Sequence, residues 1–216
     1  MSATGSLPPR PVPPPPIRGR REQTKLLNRQ TILDAGRKVF AEMGYGAATV
    51  RDIIRATPLA SGTFYNYFKS KEEIYQAIRD DVALAIRPRL RDERSRAKTV
   101  EEFISGSFRT FFEFVASDEV RFRSMRSKSD STRVRMDTPE VVAGFEELRE
   151  DIEKAIAAGL FPPTDPDFLM AAIVGVAFEV GERMSQREHP DPAAAALFAT
   201  TLFMGGLKAL PPKRES

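Results

Sequence analysis

Apolar side chains recur every three to four residues through most of this chain, the period of a helix that buries one face. No run of alternating apolar and polar residues is long enough to argue for a sheet, so the pattern predicts an all-α protein of about nine helices. The first spans about Lys25 to Met43, with Ile32, Leu33, Gly36, Val39, Phe40 and Met43 as its buried stripe and Gly44 as its stop. Two short helices follow between Thr49 and Phe68, and a fourth runs from Lys71 to about Arg87, where Pro88 is expected to halt it. Thr99 and Glu102 cap a fifth that carries Phe103, Phe108, Phe111, Phe112 and Phe114, and a shorter arginine-rich element is expected around Val120 to Arg126. Asp137-Thr138-Pro139 opens a helix that closes at Gly159, Asp165-Pro166 opens one to about Glu188, and Asp191-Pro192 opens the last, which ends before Pro211.

The stretch TVRDIIRATPLASGTFYNYFKSKEEIY, residues 49–75, is the most informative. Thr49 caps the first short helix with Asp52 three residues on as its capping-box partner, and Ile53 and Ile54 supply the buried side. Thr57 precedes Pro58, and a residue before proline is pushed out of the α region, so the chain turns there. A second helix starts near Ser61 with Phe64 and Phe68 on one face, which leaves Ser61, Thr63, Tyr65, Asn66 and Tyr67 to the other edges. Ser70 and Glu73 cap the next helix. Two short helices joined by a tight turn are the signature of a helix-turn-helix DNA reader.

From about Arg29 to Tyr75 the chain resembles the TetR/AcrR family of bacterial transcriptional regulators, above all in the words GTFYNYFKSKEEIY. Two positions depart from the family pattern: Pro58 stands where a turn glycine is usual, and Ala60 where a capping Ser or Thr is common. The turn must therefore be built without a left-handed residue. Residue by residue, the resemblance assigns Thr49, Tyr65, Tyr67 and Lys71 to phosphates, and Arg51, Ser61, Gly62 and Thr63 to the major groove. The chemistry agrees, since Lys71 sits at a helix N-terminus that already favours anions. Gly62 permits close backbone approach, and the fork of Arg51 matches guanine O6 and N7. A solvated surface arginine is the alternative for Arg51, and packing residues the alternative for the two tyrosines.

Charge is divided in the same sense. Residues 1–75 hold 12 Lys or Arg against 6 Asp or Glu, a net +6, whereas the whole chain is +3 and the remainder therefore −3. Residues 1–22 read as a disordered Pro/Arg-rich arm, and the resemblance implies a DNA-binding unit over residues 23–70 and a ligand-binding and dimerisation domain over residues 71–216. Arg18, Arg20, Arg21, Lys25 and Arg29 lie in or next to the arm, either as a solvated tail or as a backbone-tracking one. The chain has no cysteine, no signal-peptide core, and no apolar run longer than the 11 residues from Phe168 to Phe178. A soluble, cytoplasmic protein with no membrane partner is expected.

Enzyme chemistry finds no footing. The single histidine, His189, lies in a Glu-His-Pro-Asp-Pro connection, and the Glu72-Glu73 and Glu146-Glu147 pairs diverge by roughly 100° on a helix. No metal and no cofactor are expected.

The last two helices carry Ala171, Gly175, Gly206 and other small residues beside Phe178, Phe198 and Leu202, a composition that reads as an interface, with plain intrachain core as the alternative. The resemblance implies a two-fold homodimer there, presenting two recognition helices to a palindromic operator, usually as a repressor. It also implies a small, largely apolar effector inside the helical bundle, with Phe108, Phe111, Phe112 and Phe178 as candidate lining residues. Arg123, among Arg121, Arg126, Arg133 and Arg135, is the candidate receiver for the anionic end of an acyl chain; the alternative is a solvated face. A pendulum-like shift of the fourth helix is the release mechanism the resemblance suggests. An all-helical protein–protein adaptor without DNA binding is the competing class.

Overall fold

The computed structural model describes residues 19–117, 138–207 and 209–210. Those residues form eight helices and no strand: α1 (Arg20–Met43), α2 (Val50–Arg55), α3 (Ser61–Tyr65), α4 (Lys71–Arg96), α5 (Val100–Ser117), α6 (Pro139–Ala157), α7 (Pro166–Ser185) and α8 (Pro192–Leu207). The element expected near Val120 to Arg126, and with it Arg123, lies outside the described residues.

Local chemistry sets most boundaries. Gly44, at φ 78°, ends α1 with its N–H on the Phe40 carbonyl, and Gly159, at φ 73°, does the same work after α6. Ser70 Oγ accepts the Glu73 amide at 3.2 Å, Thr99 Oγ1 the Glu102 amide at 3.1 Å, and Asp191 Oδ1 the Ala194 amide at 2.9 Å, so α4, α5 and α8 each start on a side-chain cap.

Three expectations are corrected. α1 begins at Arg20 rather than near Lys25, so Arg21, Lys25 and Arg29 stand on a helix and not in an extended arm. Met43 is 49% exposed and does not belong to the buried stripe, because Gly44 ends the helix before that turn can pack. Pro88 does not stop α4, which continues to Arg96. Its ring removes the hydrogen bond to the Leu84 carbonyl, but Leu84 and Pro88 both lie on the exposed side, where water can serve that oxygen. Packing and ion pairs on either side of Pro88 offset the loss.

Two cores result. Ile32, Leu33, Phe40, Ile53, Phe64, Ile74 and Ile78 form the smaller, around α1 to α4. The larger draws Phe103, Ile104, Phe108 and Phe112 of α5 against Ile152, Phe161, Leu169, Ile173 and Ala199. α4 belongs to both ends: Ile74 and Ile78 enter the first core, while Val82 and Ile86 pack with Phe114 of α5.

Ion pairs fix α4 in place. Buried Arg37 of α1 bridges Asp34, at 2.5 Å, and Asp81 of α4. Arg87 reaches Glu140 and Glu147 of α6 at 2.6 Å each, and Arg94 Nε donates to Asp151 at 2.7 Å. The Arg87 hydrogen bond holds the Glu147 carboxyl below the ordinary carboxylate range. Asp151→Ala would leave the buried Arg94 guanidinium without its carboxylate. A loss on the order of 3 kcal/mol in urea denaturation is expected, and an unchanged midpoint would show that the pair contributes nothing.

Candidate nucleic-acid interface

The reading unit is assembled from short local contacts. Thr49 Oγ1 accepts the Asp52 amide at 3.3 Å while Asp52 Oδ2 accepts the Thr49 amide at 3.0 Å, which completes the capping box. The Thr49 hydroxyl also donates to Asp52, and these bonds keep the Asp52 carboxyl ionised below its usual range. Ile53 is fully buried beneath, so Arg51 is presented outward and is exposed.

The turn without glycine has a specific construction. Thr57 Oγ1 donates to the Ile54 carbonyl at 2.9 Å and accepts the Leu59 amide at 3.3 Å, closing the chain around Pro58. Positive φ occurs among the described residues only at Gly44 and Gly159, so no left-handed residue is spent here. Ala60, the residue before α3, provides no side-chain cap, and the first-turn amides of Ser61, Gly62 and Thr63 are left without a side-chain acceptor.

Phe64, fully buried, anchors α3 and rests edge-on to Tyr65 at 5.6 Å. Around that anchor Ser61 and Gly62 are exposed, Thr63 is half-buried and Tyr65 is 51% exposed. A Cβ at Gly62 would meet nothing within 4 Å, so this edge is open to a large partner. Tyr67 is half-buried, and its hydroxyl accepts Asn28 Nδ2 at 3.3 Å.

Lys71 has a role that its position alone did not reveal. Its ammonium donates to the Tyr45 and Ala48 carbonyls at 2.9 and 3.1 Å, with Gly46 O at 3.5 Å, and lies 4.5 Å from the centre of the Tyr45 ring. Tyr45 in turn donates to Glu72 at 2.9 Å, and burial together with that carboxylate pushes its phenol well above the ordinary value. The first residues of α4 therefore hold the α1–α2 connection that delivers Thr49. Sequence reasoning missed Asn28, Tyr45 and Glu72, whose partners lie 27 to 39 residues away and leave no local pattern.

Two further surfaces accompany this unit. Among α4 to α7 lies an apolar cavity of about 130 Å³, walled by Ile86, Phe108, Phe111, Phe114, Phe145 and Phe178 and bordered by Arg79, Arg87, Arg94 and Glu140. Phe112 is not in its lining, being packed fully buried beside Phe108 and beneath Gly181. On the outer side of α7 and α8, Phe168, Leu197, Phe198 and Leu202 are 55–78% exposed, next to exposed Ala171, Gly175 and Gly206. Phe178 does not share that face, since its ring packs against Phe111 at 5.4 Å on the cavity side. Among the described residues no group of acidic or histidine side chains is placed to hold a metal ion, and no helix is long and apolar enough to cross a membrane.

A tri-helical head with an exposed second helix of the turn pair defines a helix-turn-helix protein. Residues 32–78 match the family described as bacterial regulatory proteins, tetR family. An uncharacterized HTH-type transcriptional regulator from Haemophilus influenzae is 29% identical over 115 residues, 53% of this chain. The match covers 56% of that protein, so the chain spans about half the length of the curated relative. The fatty acid degradation regulator FadR from Bacillus halodurans superposes with a TM-score of 0.72 at 25% identity, covering 89% of this chain and 99% of its own. FadR from Bacillus subtilis, solved in complex with stearoyl-CoA, gives 0.70 at 22% identity, covering 82% and 98%. A tetR-family regulatory protein from Rhodococcus RHA1 gives 0.67 at 21%, covering 83% and 96%. The last two speak for the fold alone.

Lys71→Ala is expected to destabilise the DNA-free protein by about 1.5–3 kcal/mol in urea denaturation, because it strips a charged donor from the carbonyls before α2. A lysine that served phosphates alone would leave that stability unchanged.

Proposed function

We propose that this protein is a ligand-responsive transcriptional regulator, a repressor that binds a palindromic operator as a homodimer in the bacterial cytoplasm. The observation that carries the reading is the exposed start of α3, where Ser61 and Gly62 stand open over the buried Phe64. Short side chains there can approach base edges, Arg51 supplies a fork for guanine, and Thr49, Tyr65 and Tyr67 supply hydroxyls for phosphate. Lys71 adds its charge at the same end of α4 while tied to backbone carbonyls.

The exposed apolar face of α7 and α8 supports pairing of two copies through Ala171, Gly175, Phe198, Leu202 and Gly206. A dimer sets two copies of α3 on half-sites about 34–36 Å apart or a multiple of that. The effector reading rests on the cavity. A space of about 150 Å³ holds a benzene-sized molecule, so a cavity of 130 Å³ admits a long chain only if α4 parts from its neighbours. Such a movement would give the effector its tighter binding to the DNA-free arrangement, the condition any release must meet. An acyl chain with an anionic end suits the apolar wall and the guanidiniums at its border, and the stearoyl-CoA held by the Bacillus subtilis FadR supports that class.

Selection of bound duplexes from a random pool tests the DNA reading, with a two-fold symmetric motif as the expected outcome; an adaptor would recover none. Arg51→Ala is expected to relax choice at one base position by roughly 1–3 kcal/mol in competition binding, with other positions unaffected. Leu202→Glu is expected to yield monomers in sedimentation. Stearoyl-CoA added to the protein–duplex complex should release it, and absence of both binding and release would dismiss the acyl effector.

A further inference from the structure

α1 starts twelve residues before the family match opens at residue 32, a projection of about 18 Å at roughly 1.5 Å per residue. Residues 21–27 of that projection are exposed throughout, so packing against the core does not explain why the helix is there. Its chemistry is one-sided. Arg21, Lys25 and Asn28 follow one another at helical spacing, and Arg29 lies on the adjoining position with its guanidinium 5.6 Å from the centre of the Phe68 ring.

Two independent contacts aim this stripe at the reading helix. Arg21 and Lys25 line a groove together with Asn66 and Tyr67, the residues that follow α3, and Glu22 is the one carboxylate in its wall. Asn28 donates its amide to the Tyr67 hydroxyl at 3.3 Å, so that oxygen already accepts one bond and its own hydrogen is left to donate outward. A guanidinium, an ammonium, a phenol and the Asn66 amide thus converge on one open groove. Donors of both charged and neutral kinds, with a single acid among them, match the oxygens of a phosphodiester backbone.

We infer that the N-terminal turns of α1 form a second phosphate-binding segment, in which Arg21 and Lys25 grip the DNA backbone beside the half-site read by α3. The segment carries no base readout. It raises affinity for every duplex alike and lengthens the footprint of each protomer along the backbone. This rests on the DNA-binding reading above.

The test compares the full-length wild type with an Arg21→Ala/Lys25→Ala variant and a Lys38→Ala control, the last removing an exposed cation elsewhere on α1. Binding to a pool-selected duplex and to a random-sequence duplex is measured between 50 and 200 mM salt. Each released phosphate contact contributes about 0.9 to the slope of log K against log salt, so the double variant should lose about 1.8 on both duplexes while Lys38→Ala loses little. Circular dichroism should show helix content unchanged, since alanine favours the helix. A wild-type slope retained in the double variant, or an equal loss in Lys38→Ala, would overturn the inference while leaving DNA binding intact. A wild-type protein that binds neither duplex would overturn the DNA reading and this inference with it.

Discussion

α4 puts Ile74 and Ile78 into the core beneath the reading helices and, two turns later, Val82 and Ile86 against Phe114 of the larger bundle. One uninterrupted helix thus contributes buried side chains both to the core beneath the reading helices and to a small cluster against α5. Its N-terminus holds the α1–α2 connection through Lys71, its middle is tied to α1 through Asp81, and its C-terminal turns are tied to α6 through Arg87 and Arg94. The candidate nucleic-acid interface stands at one end of this helix and the cavity runs along its later turns.

The charges along α4 stand where the proposed effector response would use them. Arg87 and Arg94 border the apolar cavity yet are already committed to Glu140, Glu147 and Asp151. An anionic guest would compete for those guanidiniums and wedge α4 from α6 at the same time. Breaking the pair of buried Arg94 is costly, whereas the half-exposed pairs of Arg87 are cheaper to exchange.

The reading unit was legible in the sequence because its determinants are local. The Thr49–Asp52 capping box, the turn at Pro58 and the Phe64–Phe68 spacing each act within four residues, and each has its counterpart in the structure. What escaped was set by distant contacts. Pro88 carries a strong local stop signal, but packing and ion pairs on both sides outweigh one missing hydrogen bond, so α4 continues and supplies Leu90 and Arg94 to the cavity. Phe112 and Phe178 show the same limit: helical spacing says that a phenylalanine is buried, and only the neighbouring helices decide whether it meets core, cavity or partner.

The continuity of α4 is what the proposed coupling depends on, and native-state hydrogen exchange across Pro88 tests it most directly. The amides of Val82 to Arg87 and of Leu90 to Arg94 should share one level of protection and lose it together as denaturant is added, as a single cooperative unit. If the turns after Pro88 exchange at a distinctly lower free energy than those before it, α4 is two helices, and a rigid link from cavity to reading head is contradicted.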